Sequence, residues 1–272
     1  MITMQDVKMY AKLLSTLLLL VSSCEIYSQE KMEIEGAIII ADSEDATPTP
    51  GTIRWTGADF EGWNGIIWVS LTGNMKVGTV SDVDGNVYKT ITIGTQEWMT
   101  ENLRTSKYND ETTIDAVTSD AIWAVLNSGA WCWYDNDNSN ESPYGKLYNW
   151  HAVNTAKLCP TDWHVPSDGE WTTLTAYLGG EIIAGGKIKE EGFTHWSAPN
   201  LGATNVSGFT GLPGGARSIF GFSSIGDEGY WWSSTESSSD DAWNRDVNSL
   251  QTDILRRRED KKLGMSVRCV RD

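Results

Sequence analysis

The segment that most restricts the fold is Ser167-Asp168-Gly169-Glu170, followed by WTTLTAYLGG and a long Gly- and Ser-rich remainder. A serine with a glutamate three residues on is a capping box, in which each side chain satisfies a free amide at the helix start. Trp171, Leu174 and Leu178 then recur at helical spacing as one apolar stripe, and Gly179-Gly180 ends it. From there to Asp272 the chain is cut into short β runs: GFTGLPGG, GYWWSST, AWNRDVNS and GMSVRCVRD. One long helix followed by hairpins makes the expected fold class α+β.

Upstream, VSDVDGNVYKTITIG places Asp84-Gly85 between alternating residues, which is hairpin-turn chemistry. Asp82, Asp84 and Asn86 begin like a calcium loop, but no acidic residue closes it, so the turn is the expected reading. Ser119 caps a short helix over SDAIWAVLN, residues 119–127. Residues 145–156 read as strand or irregular structure leading to Cys159. Residues 36–73 have a different character: AIII, a Pro-containing polar turn, TIRWTG and DFEGWNGIIWVSLTG. These are short β runs of a hairpin module too small for a core of its own, so it packs on the main domain or self-associates. It resembles the modules that precede binding domains in bacterial surface and phage-tail-type proteins. The expected organisation is a signal segment at 1–29, this β module with its linker at 30–75, and a main domain at 76–272.

The start of the chain points to export. Lys8 and Lys12 precede an apolar run from Leu13 to Val21, too short to span a bilayer and of the length of a signal h-region. Val21-Ser22-Ser23-Cys24 resembles a bacterial lipobox, which makes Cys24 the lipidated first residue of an anchored protein. Glu25 then favours the outer membrane. Cleavage near Tyr27-Ser28-Gln29 is the alternative, and it would discard Cys24 and release a soluble protein. Without Cys24, three cysteines remain for an oxidising compartment, and they allow three pairings. The expected pair is Cys159–Cys269, tying the end of the chain to the start of the helix motif, with a nominal loop-entropy contribution of roughly 4–5 kcal/mol. Cys132, inside Trp131-Cys132-Trp133, reads as a small buried hydrophobe. With 37 acidic against 21 basic side chains the net charge is −16, which repels phosphate backbones and argues against nucleic-acid partners.

Six motifs occur in order: WMTENL (98–103), YGKLYNWHAV (144–153), CPTDWHVPSDGEW (159–171), GATNVSGFTGLPGGAR (202–217), GYWWSSTE (229–236) and SVRCVRD (266–272). Together they make the chain, from about Val80 to its end, resemble the Fibrobacter succinogenes major paralogous domain. That resemblance implies a secreted, surface-type context and no particular activity. HVPSDGEW and SVRCVRD also resemble motifs of formylglycine-generating sulfatase-modifying factors, which implies a C-type-lectin-like domain of short helices and twisted antiparallel hairpins. The closely spaced cysteine pair with which those enzymes bind copper has no counterpart, because the C-terminal region offers Cys269 alone. No serine lies in G-x-S-x-G, and His151, His164 and His195 lack i, i+4 spacing; two of them are expected to pack beside Trp163 and Trp196. The expectation is a non-enzymatic protein.

Two places offer ligand chemistry. Asp135, Asp137, Ser139 and Glu141 alternate through DNDNSNE as hard oxygen ligands suited to calcium, against the plainer reading of a solvated loop. Trp243-Asn244-Arg245-Asp246 resembles the Trp-Asn-Asp calcium and sugar motif of C-type lectins, with Arg245 inserted; on a strand, Asn244 and Asp246 share a face. Sugar sites pair aromatic faces with amides and carboxylates. Of the adjacent Trp231 and Trp232 only one can face a ligand, and Trp232 is the candidate, beside Trp243. Most of the 14 tryptophans are expected to be buried anchors. The reading is a surface protein binding an extracellular glycan or another macromolecule. The alternative is an adhesin-type module that oligomerises through its hairpins, and the third is a secreted hydrolase.

Overall fold

The computed structural model describes residues 52–55, 60–63, 68–71 and 77–271, all within the unit Asp42–Asp272. The signal segment with Cys24, the AIII run and the Pro-containing turn lie outside the described residues. The first strands are β1 (Ile53–Trp55), β2 (Phe60–Trp63) and β3 (Trp68–Ser70), an antiparallel meander. A second sheet has the order β15–β6–β5–β4, from β4 (Val77–Ser81), β5 (Val87–Ile93), β6 (Gln96–Met99) and β15 (Val270–Arg271). Its first hairpin turns as read: the Asp82 carboxylate accepts from the amides of Asp84 (3.0 Å) and Asn86 (2.9 Å) and from the Tyr88 hydroxyl (2.6 Å).

Small elements follow: β7 (Asp115–Ala116), α1 (Asp120–Trp123) capped by Ser119, β8 (Ala130–Cys132), α2 (Glu141–Tyr144), β9 (Leu147–Tyr148) and α3 (Trp150–Val153). Residues 145–156 therefore contain a short helix as well as a strand. The Asn149 side chain caps that helix on the Ala152 amide. The main helix α4 (Asp168–Tyr177) carries both halves of its capping box, Glu170 amide to Ser167 Oγ at 3.2 Å and Ser167 amide to Glu170 Oε2 at 2.6 Å. A second helix, α5 (Glu181–Ile188), lies where the sequence reading has none. The last sheet has the order β11–β10–β12–β13–β14, from β10 (Gly214–Ser218), β11 (Gly221–Ile225), β12 (Glu228–Glu236), β13 (Asp241–Asn248) and β14 (Leu255–Asp260). The molecule is α+β, dominated by sheets with a few short helices. Among the described residues no helix is long and apolar enough to cross a membrane.

Strand β12 runs between the two main core clusters. Trp231 packs with Trp98, Trp171, Phe209 and Val247, whereas Trp232 packs with Tyr148, Trp150 and Met265. Both are fully buried, which corrects the expectation for Trp232: its indole N–H donates to the Tyr148 carbonyl at 2.9 Å, and no face is left for a ligand. The Cys159–Cys269 bridge forms as expected, with Cα atoms 5.9 Å apart across 110 residues of sequence. It fixes β15 beside the segment entering α4. Cys132 is a buried free thiol, its pKa pushed up to about 11 by burial.

Although the chain is acidic, six cations are buried among the described residues, and five of them lie beside an aromatic ring: Lys146 with Trp131, Lys189 with Trp196, Arg217 with Trp123, Lys261 with Trp150 and Arg268 with Phe209. Their protons go to loop carbonyls that regular structure leaves unpaired. Lys189 donates to the carbonyls of Leu201, Asn248 and Gln251 at 2.8–2.9 Å, so one ammonium ties two loops to the end of α5. Burial pulls its pKa down to about 8.

Candidate functional site

The motif Trp243-Asn244-Arg245-Asp246 sits in the middle of β13, paired to β12 on one side and to β14 on the other. Alternation sends Asn244 and Asp246 to one face and Trp243 and Arg245 to the other, as the sequence implied. Asn244 is fully buried between Trp232 and Arg257 in the ladder; its amide nitrogen contacts Met265 Sδ at 3.5 Å and its oxygen is unpartnered. Asp246 is nearly buried and accepts from Arg257 Nε at 2.6 Å. Burial pushes its carboxyl up to about 6 against the pull of that guanidinium. Tyr230, opposite Asp246, donates to Glu228.

The other face is a charge ladder. Arg245 Nη1 donates to Asp168 Oδ1 at 2.8 Å, and Arg256 of β14 reaches the same carboxylate from Nε and Nη2 at 2.9 Å each. Burial raises the Asp168 pKa, but hydrogen bonds from the two arginines outweigh it and hold the carboxyl below its usual range. Arg256 also lies over Trp243, its Cζ 3.2 Å from the ring centroid. Trp243 is half-buried, and Arg258 is its direct cross-strand partner. Sequence reasoning singled out Trp243, Asn244 and Asp246 and missed Arg256, Arg258 and Asp168. The available signal was Arg256-Arg257-Arg258 itself, since on a strand its outer two members share one face.

The acidic loop is built differently from a ligand cage. Asp137 caps the Ser139 amide at 2.9 Å, and that backbone bond lowers its pKa. Glu141 pairs with Lys146, while Asp135 and Ser139 are exposed. Among the described residues no group of three or more His, Cys, Asp or Glu could hold a metal ion. Two of the histidines engage carboxylates: His164 contacts Glu170 at 2.6 Å, and His195 contacts Glu190 at 2.8 Å beside the Tyr144 ring.

Five of the six motifs that occur in order along the chain converge on one buried amide. Asn102 Oδ1 accepts from Trp231 Nε1 and Arg268 Nε, both at 2.9 Å. Its Nδ2 donates to the Tyr144 carbonyl at 2.9 Å and to Ser266 Oγ at 3.1 Å. Arg268 continues to the carbonyls of Phe209 and Thr210. WMTENL, PYGKLY, GFTGL, GYWW and SVRC are thereby joined as core connections. No curated protein and no solved structure matches the chain. The model of the Fibrobacter succinogenes major domain matches residues 91–271, and the chain belongs to that family.

Proposed function

We propose that this chain is a non-enzymatic, exported bacterial surface protein whose C-type-lectin-like main domain binds glycan or another macromolecule. The observation that carries the reading is the use made of the shared motifs. Polar groups from five of them are spent on one another inside the core, as at Asn102, Trp231, Arg268 and Ser266. A domain that spends these residues on scaffold leaves its function to loops and strand surfaces. The β13–β14 surface, with the half-buried Trp243 among charged groups, supplies an aromatic ring and ionic partners of the kind that sugar recognition uses. The lipobox-like Val21-Ser22-Ser23-Cys24 supports anchoring at the outer membrane, and cleavage near Tyr27–Gln29 would give a secreted form.

The test is a glycan array probed with residues 30–272, in calcium and again in chelator. Calcium-dependent hits would direct mutation to Asp135, Asp137, Glu141, Asn244 and Asp246, and chelator-insensitive hits to Trp243. A blank array would refute glycan binding. It would favour the adhesin-type reading, which has its own observation: the β1–β3 sheet leaves Ile53, Phe60 and Leu71 exposed in a module of three short strands. A stable oligomer lost on deleting residues 30–75 would then decide for it. Release of sugar or peptide product from a broad substrate panel would overturn the non-enzymatic reading.

A further inference from the structure

Seven tryptophans are locked by their indole N–H: Trp123, Trp131, Trp150, Trp171, Trp196 and Trp232 donate to backbone carbonyls, and Trp231 to Asn102. Trp243 differs. It is half-buried, and its N–H makes no hydrogen bond among the described residues. Its ring face is taken by Arg256, itself fixed in a fork on Asp168, so a sugar stacking there would have to displace a bound cation.

The three arginines of β14 have separate fates. Arg256 serves Asp168, and Arg257 serves Asp246. Arg258 is exposed, directly opposite Trp243, and its side chain makes no hydrogen bond or ion pair among the described residues. What remains beside the indole is therefore a set of donors: a guanidinium fork and one N–H. Such a set matches the oxygens of a carboxylate or sulfate, whereas the carboxylate acceptors that sugar hydroxyls use lie one step further along the face. Asp241 and Asp260, opposite each other one step along the same face, bound the site at that end; Asp241 accepts from Ser238 Oγ and Asp260 from the Lys262 amide. In a chain of net charge −16 an anion is repelled at long range, so recognition must come from these local donors.

We propose that the ligand of this surface is an acidic glycan, its carboxylate or sulfate held by Arg258 and the Trp243 N–H; this rests on the glycan reading above. The experiment titrates residues 30–272 with a uronate oligosaccharide, a sulfated oligosaccharide and a neutral oligosaccharide of the same length. The expected result is binding of one or both acidic ligands, and which of them binds identifies the anion. Arg258→Gln should weaken that binding about tenfold or more, the scale of a lost charge-assisted hydrogen bond. Arg258→Lys should fall between, and Trp243→Phe, which removes only the N–H donor and part of the ring, should weaken it several-fold. Lys157→Gln, an exposed charge paired to Asp110, controls for bulk charge and should bind like the parent. The proposal is overturned if the neutral ligand binds as tightly as the acidic ones, or if Arg258→Gln binds like the parent; glycan binding itself then stands. Binding to no glycan overturns both.

Discussion

Asn102 shows how one side chain can hold a fold together. An amide has two donor protons and an oxygen with two lone pairs, and here every one of them has a partner, drawn from three separate segments. Asn102→Ala would strand the Trp231 N–H and remove a partner of the fully buried Arg268, whose pKa burial already lowers to about 9. Stranding polar groups of this kind costs about 3–5 kcal/mol, and denaturant unfolding of the variant should show that loss. A loss under 1 kcal/mol would remove Asn102 from the account. Asp246 gives a second prediction, of opposite character. Its folded pKa of about 6 exceeds its ordinary value, so between about pH 4 and 6 the folded protein holds a proton that the unfolded chain has released. The group therefore favours folding at low pH and loses that contribution as pH rises through 6. Relative to Asp246→Asn, the parent should gain melting temperature as pH falls from 7 to 5; parallel curves would refute the shift. Sequence alone placed Asn244 and Asp246 on one face. It could not show that Asn244 is sealed against Met265, between its strand neighbours Trp232 and Arg257, because depth depends on what packs above a strand.

At the level of elements, α4 was legible because its signal is local: the capping box, the stripe and the terminating glycines all lie within fifteen residues or so. Helix α5 was not, since EIIAGGKI contains a Gly pair that ordinarily argues against a helix. The reason lies in tertiary contact. A Cβ on Gly185 would meet the Asp253 carbonyl oxygen at 2.0 Å, and one on Gly186 the Gly202 oxygen at 2.3 Å. The glycines let the loops approach the helix backbone, where the Gly186 amide donates to the Thr252 carbonyl at 2.8 Å. Gly185→Ala should consequently destabilise by about 1–3 kcal/mol, the scale of overpacking. The exposed Gly169 of α4, whose added Cβ meets nothing closer than 3.7 Å, should instead tolerate alanine or gain up to about 1 kcal/mol. Thermal melts of the two variants should move in opposite directions; if both rise, close packing does not explain the glycines of α5. The same logic explains Trp232. Alternation separated it correctly from Trp231, but both sides of β12 are core, and a local pattern cannot count the layers above a sheet.

For the molecule as a whole, the fold depends on closing long loops between short strands, since β15 has two residues and meets β6, and the Val270 bridge to His164 adds one more ladder pair. Short pairings of this kind hold a chain end weakly, while the entropy of joining segments 110 residues apart is lost in full. The Cys159–Cys269 bond removes most of that entropy from the unfolded chain beforehand, at a nominal 4–5 kcal/mol or so. That is a large share of the stability of an ordinary domain. Reduction, or Cys159→Ala with Cys269→Ala, should therefore lower the melting temperature sharply, and β15 amides should exchange first, because they lose their covalent tie before the cores on either side of β12 open. Cys132 should stay unreactive to thiol reagents until global unfolding, being buried with a raised pKa. If the reduced protein melts where the oxidised one does, the buried cations and their loop carbonyls carry the closure instead. The Lys189 contacts to Leu201, Asn248 and Gln251 would then be the first to remove.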